Sequence, residues 1–184
     1  STWEELVATR LLEPLAMSHS YVEYQNAQAD PNFSKGYTWR DDLEKVEPAP
    51  MRDLAVIAPA GAINSSVRDM SNWLRFQLGE GEFEGQRLIS AEALAETRTK
   101  QIDVAPDGSV AYGLGWMLRE WEGREVIEHG GNIDGFAASV AMLPEEQLGM
   151  VLLTNVGMTP LQGTGMNLVW EALLTDAYLP DEGG

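Results

Sequence analysis

The sequence predicts an α+β fold, an antiparallel sheet with a C-terminal helix packed on it plus a helical lobe. Three observations predict it. Apolar residues recur at helical spacing up to about residue 105, the period shortens to that of strands after Pro106-Asp107-Gly108, and a helical pattern returns near the C-terminus. Residues 1–105 are read as part of the helical lobe, with an irregular excursion at about 21–59, and residues 106–184 as the antiparallel sheet and C-terminal helix.

In chain order, Ser1-Thr2-Trp3-Glu4 has the form of a capping box, a hydroxyl followed three positions later by a carboxylate. It opens a helix to about Leu12, with Trp3, Leu6, Val7 and Leu11 on one face, and Pro14 limits it. Residues 21–59 are polar, rich in Pro, Asp and Glu, and without sustained period, which predicts an extended excursion with short turns, a flap over a cleft. The small residues from Pro59 to Ser65 predict a tight turn leading to a second cap, Ser66 with Asp69. Val67, Met70, Trp73, Leu74 and Leu78 then mark one helical face, and Gly79 and Gly81 stop it. Ser90 caps a third helix, to about Lys100.

Beyond the break, Tyr112-Gly-Leu-Gly-Trp116 alternates large residues with glycine, as a strand does when its other face lies against backbone. Glu122-Gly123 supplies a turn, and Glu125 to His129 forms the returning strand. Phe136 to Leu143 and Leu148 to Thr154 follow across a second turn at Pro144 to Gln147, so short connections make an antiparallel meander. The last helix, over about 161–178, is expected to present Leu161, Leu168, Val169, Ala172 and Leu173 to the sheet.

Composition bounds what the chain does. A net charge of -17 without a basic stripe argues against a nucleic-acid partner, and the absence of cysteine excludes disulfides, a thiol nucleophile and thiolate metal ligands. No apolar run reaches membrane-spanning length and no leader is visible, although a chain that starts at Ser1 inside a helix signal leaves room for a longer precursor. Two well-separated histidines without a helical pair make a zinc site improbable, and neither a metal nor an organic cofactor is expected. His19 reads as a solvated residue at a helix end, and the acidic pairs Asp41-Asp42 and Glu145-Glu146 as solubility features in turns.

The informative segment is His129-Gly130-Gly131-Asn132-Ile133-Asp134-Gly135-Phe136. A histidine ends a strand and is followed by two glycines, where a ligand can approach the backbone and free N–H groups can meet a developing oxyanion. The residues alone are equally accounted for by a glycine-rich hairpin turn carrying a surface histidine, and both readings stand.

The order of motifs then adds a resemblance. Trp3-Glu4-Glu5-Leu6 leading to Leu12-Glu13-Pro14-Leu15-Ala16-Met17, Pro59 to Ile63 followed by Ser66 to Met70, Tyr112 to Trp116, and His129-Gly130-Gly131 with Gly135-Phe136 together resemble serine hydrolases of the β-lactamase and penicillin-binding-protein type, C-terminal portion only. The resemblance implies an incomplete β-lactamase/transpeptidase-like fold and acyl transfer on an ester, amide or D-amino-acid peptide bond. By it, His129 takes the place of the lysine in the family's third motif, Gly130 and Gly131 lie beside the substrate, and the N–H of Asn132 supplies one oxyanion donor. Gly130 stands where the family commonly has a hydroxyl that helps hold a substrate carboxylate, so β-lactam turnover is expected to be weak beside ester or D-amino-acid amide cleavage.

The chain lacks the family's Ser-x-x-Lys. Thr97-Arg98-Thr99-Lys100 has the spacing with threonine instead, and Tyr24-Gln25-Asn26 matches Tyr-x-Asn but falls after the Leu-Glu-Pro-Leu-Ala-Met segment instead of before it, so both are read as coincidences. Three readings follow: the C-terminal part of a hydrolase, inactive alone and completed by the missing N-terminal portion; a non-catalytic relative binding peptide or cell-wall material; or an unrelated acidic α+β interaction module. On the first, the family's initial strands are absent, so one sheet edge is bare and the chain is expected to pair with that portion or to self-associate. The resemblance implies a periplasmic or secreted setting as the family's common one; the residues themselves assign no compartment.

Overall fold

The computed structural model describes residues 1–175, so the end of the expected C-terminal helix, 176–178, lies outside the described residues. Six strands form a meander in the order β10-β9-β8-β7-β6-β5, all pairs antiparallel: β5 Ile102–Asp103, β6 Val110–Tyr112, β7 Met117–Trp121, β8 Arg124–Ile133, β9 Phe136–Leu143 and β10 Leu148–Thr154. The turns at Glu122-Gly123 and at Pro144 to Gln147 are those the sequence marks. Glu122 and Gly123 both take positive φ, as do Asp134 and Gly135, the backbone that two-residue hairpins need.

Both faces of this sheet are covered. On one, α6 (Leu161–Leu174) seats Met166 and Trp170 against Val126, Ala141 and Leu143. On the other, α4 (Val67–Leu78) seats Leu74 against Ile127, Met142 and Trp116. Ser66 caps α4 as expected, its hydroxyl accepting from the Asp69 N–H at 3.2 Å, and Ser90 caps α5 (Ala91–Thr97) through the Ala93 N–H at 3.2 Å. A separate cluster of Leu12, Leu15, Met17, Phe76, Phe83 and Leu94 joins the N-terminal helix to α4, α5 and the small hairpin β3 (Glu82–Phe83) and β4 (Gln86–Arg87).

Several expectations are corrected. The first capping box forms one residue later, with the Glu5 N–H donating to Thr2 and the Thr2 N–H to the Glu5 carboxylate; adjacent glutamates make the pattern fit two registers, and this one lays Trp3 on Leu54, Ala58 and Ala62. The helix it opens is α1 (Trp3–Val7), which continues to Leu12 as a π-helical turn. The excursion is not merely extended. It contains α2 (Tyr24–Ala29) and a hairpin of β1 (Tyr37–Arg40) and β2 (Lys45–Pro48), with β1 pairing in parallel with β11 (Val156–Gly157). Within the turn before Ser66 lies a short helix, α3 (Ala58–Gly61).

Tyr112 to Trp116 is not a strand. Only Tyr112 belongs to β6, and the chain bends over Gly113 and Gly115 before β7 begins, because a Cβ at Gly113 would sit 2.5 Å from the Thr97 carbonyl oxygen. Of the face expected of α6, only Val169 meets the sheet. Leu161, Leu168 and Leu173 are more than half exposed and Ala172 faces outward, whereas Met166, Trp170 and the partly buried Val169 and Leu174 meet the sheet. Leucines on two sides of the helix leave its period ambiguous, and the large Trp170 decides it.

Along β10 the outer edge has no partner strand among the described residues, and Leu153 beside it is exposed. No helix among the described residues is long and apolar enough to cross a membrane.

Candidate functional site

The strand expected to end at His129 runs on to Ile133, which places Gly130, Gly131 and Asn132 inside β8, opposite Ser139, Ala138 and Ala137 of β9. Neither the early strand end nor the glycine-rich turn is correct; the turn comes later, at Asp134-Gly135, where positive φ is tolerated. The other neighbour, β7, reaches only as far as Met117 opposite Glu128. From His129 onward β8 therefore has one edge without a partner strand among the described residues. Alternation of the antiparallel ladder sends the N–H and C=O of Gly131 to β9, and those of Gly130 and Asn132 to the bare edge.

Side chains alternate likewise. His129 is exposed on the α4 side, its Nε2 lying 3.1 Å from the Tyr112 hydroxyl with the two rings edge to face. It rims a cavity of about 560 Å3 walled by Leu11, Trp73, Phe76, Leu94, Trp116 and Val140. A Cβ built on Gly131 meets nothing within 4 Å, so the space beside His129 is open. One built on Gly130 points the other way, toward Ser139 and Gln162.

Asn132 is held from the α6 side. Its Nδ2 donates to Gln162 Oε1 at 2.7 Å, and its Oδ1 accepts from the Met158 N–H at 2.8 Å. Gln162 Nε2 donates in turn to the carbonyls of Gly131 at 3.0 Å and Ala138 at 2.8 Å. The hairpin tip is tied down as well: the Asp134 carboxylate, nearly buried, accepts from Arg52 Nε at 2.7 Å and from the Arg52 N–H at 2.8 Å, and the Tyr37 N–H donates to the Gly135 carbonyl. The excursion thus clamps the end of β8, a role its composition does not announce.

The structure brings His129, Gly130, Gly131 and Asn132 together on one strand edge. Sequence reasoning missed Tyr112 and Gln162. Tyr112 was noticed as part of a glycine-spaced motif, but its approach to His129 depends on the registers of β6 on β7 and β7 on β8; Gln162 lies 30 residues from its partner Asn132 and carries no local signal.

Of the two coincidental motifs, Thr97 lines the cavity that His129 rims, but its hydroxyl is already engaged. Thr97 spends its hydroxyl on the Leu94 carbonyl at 2.6 Å and Lys100 pairs with Asp103, while Tyr24 and Asn26 line a different cavity of about 760 Å3 between α1, α2 and the 51–64 segment. At the far end of that region, His19 is more than a solvated residue. Its Nδ1 lies 2.8 Å from the Asp30 carboxylate, which also accepts from the Tyr21 hydroxyl at 2.6 Å and the Asn32 N–H at 2.7 Å. The Tyr21 hydroxyl foremost, then His19, draws the Asp30 pKa down to about 2, and the hydrogen bond to Asp30 raises that of His19. The acidic pairs are partly engaged, Asp42 with Arg40 and Glu146 with Arg124.

Comparison with known proteins fits this geometry into a family. The family model described as Beta-lactamase matches residues 1–169. The chain is 31% identical over 188 residues to the unguisins hydrolase ungD of Aspergillus violaceofuscus, an alignment covering 92% of this chain and 33% of that protein. It is 24% identical over 185 residues to the Beta-lactamase of Escherichia coli, covering 84% of this chain and 46% of that one. In fold it is similar to the octameric penicillin-binding protein homologue from Pyrococcus abyssi, with a TM-score of 0.83 at 24% identity over 94% of this chain and 38% of that chain. The chain therefore spans between a third and a half of the length of these relatives. A family match running unbroken through both helical and sheet segments leaves no room for an unrelated interaction module: this chain belongs to the beta-lactamase family.

Proposed function

We propose that the chain forms one wall of the acyl-enzyme site of a serine hydrolase, acting on an ester, an amide or a D-amino-acid peptide bond, with the nucleophile supplied by an N-terminal portion. The observation that carries this reading is the bare edge of β8 beside His129, where backbone donors and open space coincide. A serine oxygen from the other portion adds to the substrate carbonyl and its proton passes to a base. The tetrahedral oxyanion accepts from the Asn132 N–H, then collapses with loss of the alcohol or amine, which takes up the proton. Gly131 keeps the side of the strand clear for the acyl group, Gly130 lends its backbone to the same edge, and His129 offers a hydrogen bond. A division into two lobes near residue 105 belongs to the same reading, supported by the separate apolar cluster of the helical segments.

The bare β10 edge and the exposed leucines of α6 support pairing with that portion, or self-association in its absence. A second reading, a non-catalytic binder of peptide or cell-wall material, is favoured by the lack of Ser-x-x-Lys in this sequence. A fluorophosphonate probe separates the two. The hydrolase reading expects no label on this chain alone and a serine adduct on a longer protein that carries it; no adduct on either favours the binder. Gly130 makes a further difference, since the family commonly has a hydroxyl residue there that helps hold a substrate carboxylate: short-chain ester hydrolysis is expected to exceed penicillin or cephalosporin turnover, and the reverse order, measured on the longer protein, would refute that preference.

A further inference from the structure

We propose that Gln162 and the side chain of Asn132 form a directed amide relay that fixes and polarises the Gly131–Asn132 peptide, presetting the Asn132 N–H as a donor along the bare edge of β8. Both are positioning residues, and the catalytic use of the relay rests on the hydrolase reading above.

The direction of the relay follows from what each end can do. The Met158 N–H only donates, so the Asn132 oxygen is the atom it meets, at 2.8 Å. The Asn132 nitrogen must then donate onward, to Gln162 Oε1 at 2.7 Å. That leaves Gln162 Nε2 to face two groups that only accept, the carbonyls of Gly131 at 3.0 Å and Ala138 at 2.8 Å. Both amide orientations are thereby determined by their neighbours.

The carbonyl of Gly131 and the N–H of Asn132 belong to one planar trans peptide and point in opposite directions. Holding the oxygen on the β9 and α6 side aims the N–H at the bare edge. The strand ladder already gives this oxygen a partner, the Ala138 N–H, so the bond from Gln162 is a second one and is not needed to satisfy it. Its consequence is electronic and geometric. A carbonyl that accepts two hydrogen bonds draws electron density from its own amide nitrogen and strengthens the attached N–H as a donor. The relay is seated on α6, whose Met166 and Trp170 are buried in the sheet, so its far end is fixed. Arg119 and Glu128 on this face pair with each other at 2.7 Å, and Arg119 also donates to Asn167.

Isotope-labelled chain carrying Gln162→Leu or Gln162→Glu tests this by NMR. Leucine keeps the bulk and removes the donor; glutamate keeps the shape and, when ionised, accepts from Asn132 without donating to Gly131. Both variants are expected to melt within a few degrees of the parent. In each, the Asn132 backbone amide proton moves upfield by a few tenths of a ppm at neutral pH, whereas in Gln162→Glu the Met158 amide stays in place. Acidification through the carboxyl range returns the Asn132 resonance of Gln162→Glu toward its parent position, because the protonated acid regains a donor. An Asn132 resonance that ignores both substitutions, or a Gln162→Glu spectrum with no such return, overturns the proposal. Should Gln162→Leu fail to fold, the pH response of Gln162→Glu decides alone. Probe labelling of the longer protein judges the hydrolase reading separately, so the two failures are distinguishable.

Discussion

Three donors converge on the Asp30 carboxylate, and their consequence for stability has a definite sign. Because the folded pKa of Asp30 lies near 2, below its ordinary value, its contribution is complete above about pH 4 and is lost as the pH falls toward 2. His19 runs the other way. Its folded pKa is raised, so its contribution is complete below about pH 6.5 and is lost as the pH climbs through the folded value. The pair therefore stabilises most between about pH 4 and 6.5. Asp30→Asn should lose most stability relative to the parent in that window, measured by urea denaturation across pH; a difference independent of pH would contradict the assignment. Of the residues at the site, His129 and its glycines stood out in the sequence because glycine after a strand histidine is chemically specific. Tyr112 and Gln162 did not, since each depends on a register that no local pattern encodes.

At the scale of elements, caps and turns were legible. Ser66, Ser90 and Glu122-Gly123 follow from side-chain hydrogen bonding or tolerated backbone angles over a few residues. Elements whose form depends on distant backbone were not. The bend at Tyr112 to Trp116 is imposed by the end of α5, where the Leu114 N–H donates to the Thr97 carbonyl at 2.8 Å and Gly113 presses on the same oxygen. Gly113→Ala places a methyl group against that carbonyl and should cost about 2–3 kcal/mol, seen as a lowered denaturation midpoint with unchanged slope. A cost near zero would mean that the bend is not forced. Likewise the hairpin of β1 and β2 gains its place by pairing with β11, more than 100 residues away, and nothing in its own polar sequence shows that.

At the scale of the whole molecule, the meander was readable because each strand turns into its sequence neighbour, and short connections leave little choice of partner. What completes the sheet was not, beyond the expectation of a bare edge. β10 presents that edge with Leu153 exposed beside it, so the chain alone should associate with rising concentration; Leu153→Lys should raise the monomer fraction in sedimentation velocity, and a parent chain that stays monomeric throughout would count against a bare edge that matters. On the hydrolase reading, the acyl group sits in the space beside His129. Gly131 offers the direct test, because alanine there meets nothing within 4 Å among the described residues and its backbone angle is unstrained. Measured in the longer protein by the rate of fluorophosphonate acylation, Gly131→Ala should slow the reaction by about 10-fold or more, a loss of at least about 1.4 kcal/mol of transition-state stabilisation, with the melting temperature unchanged or slightly raised. Acylation at the parent rate would show that this strand edge is not the wall of the site.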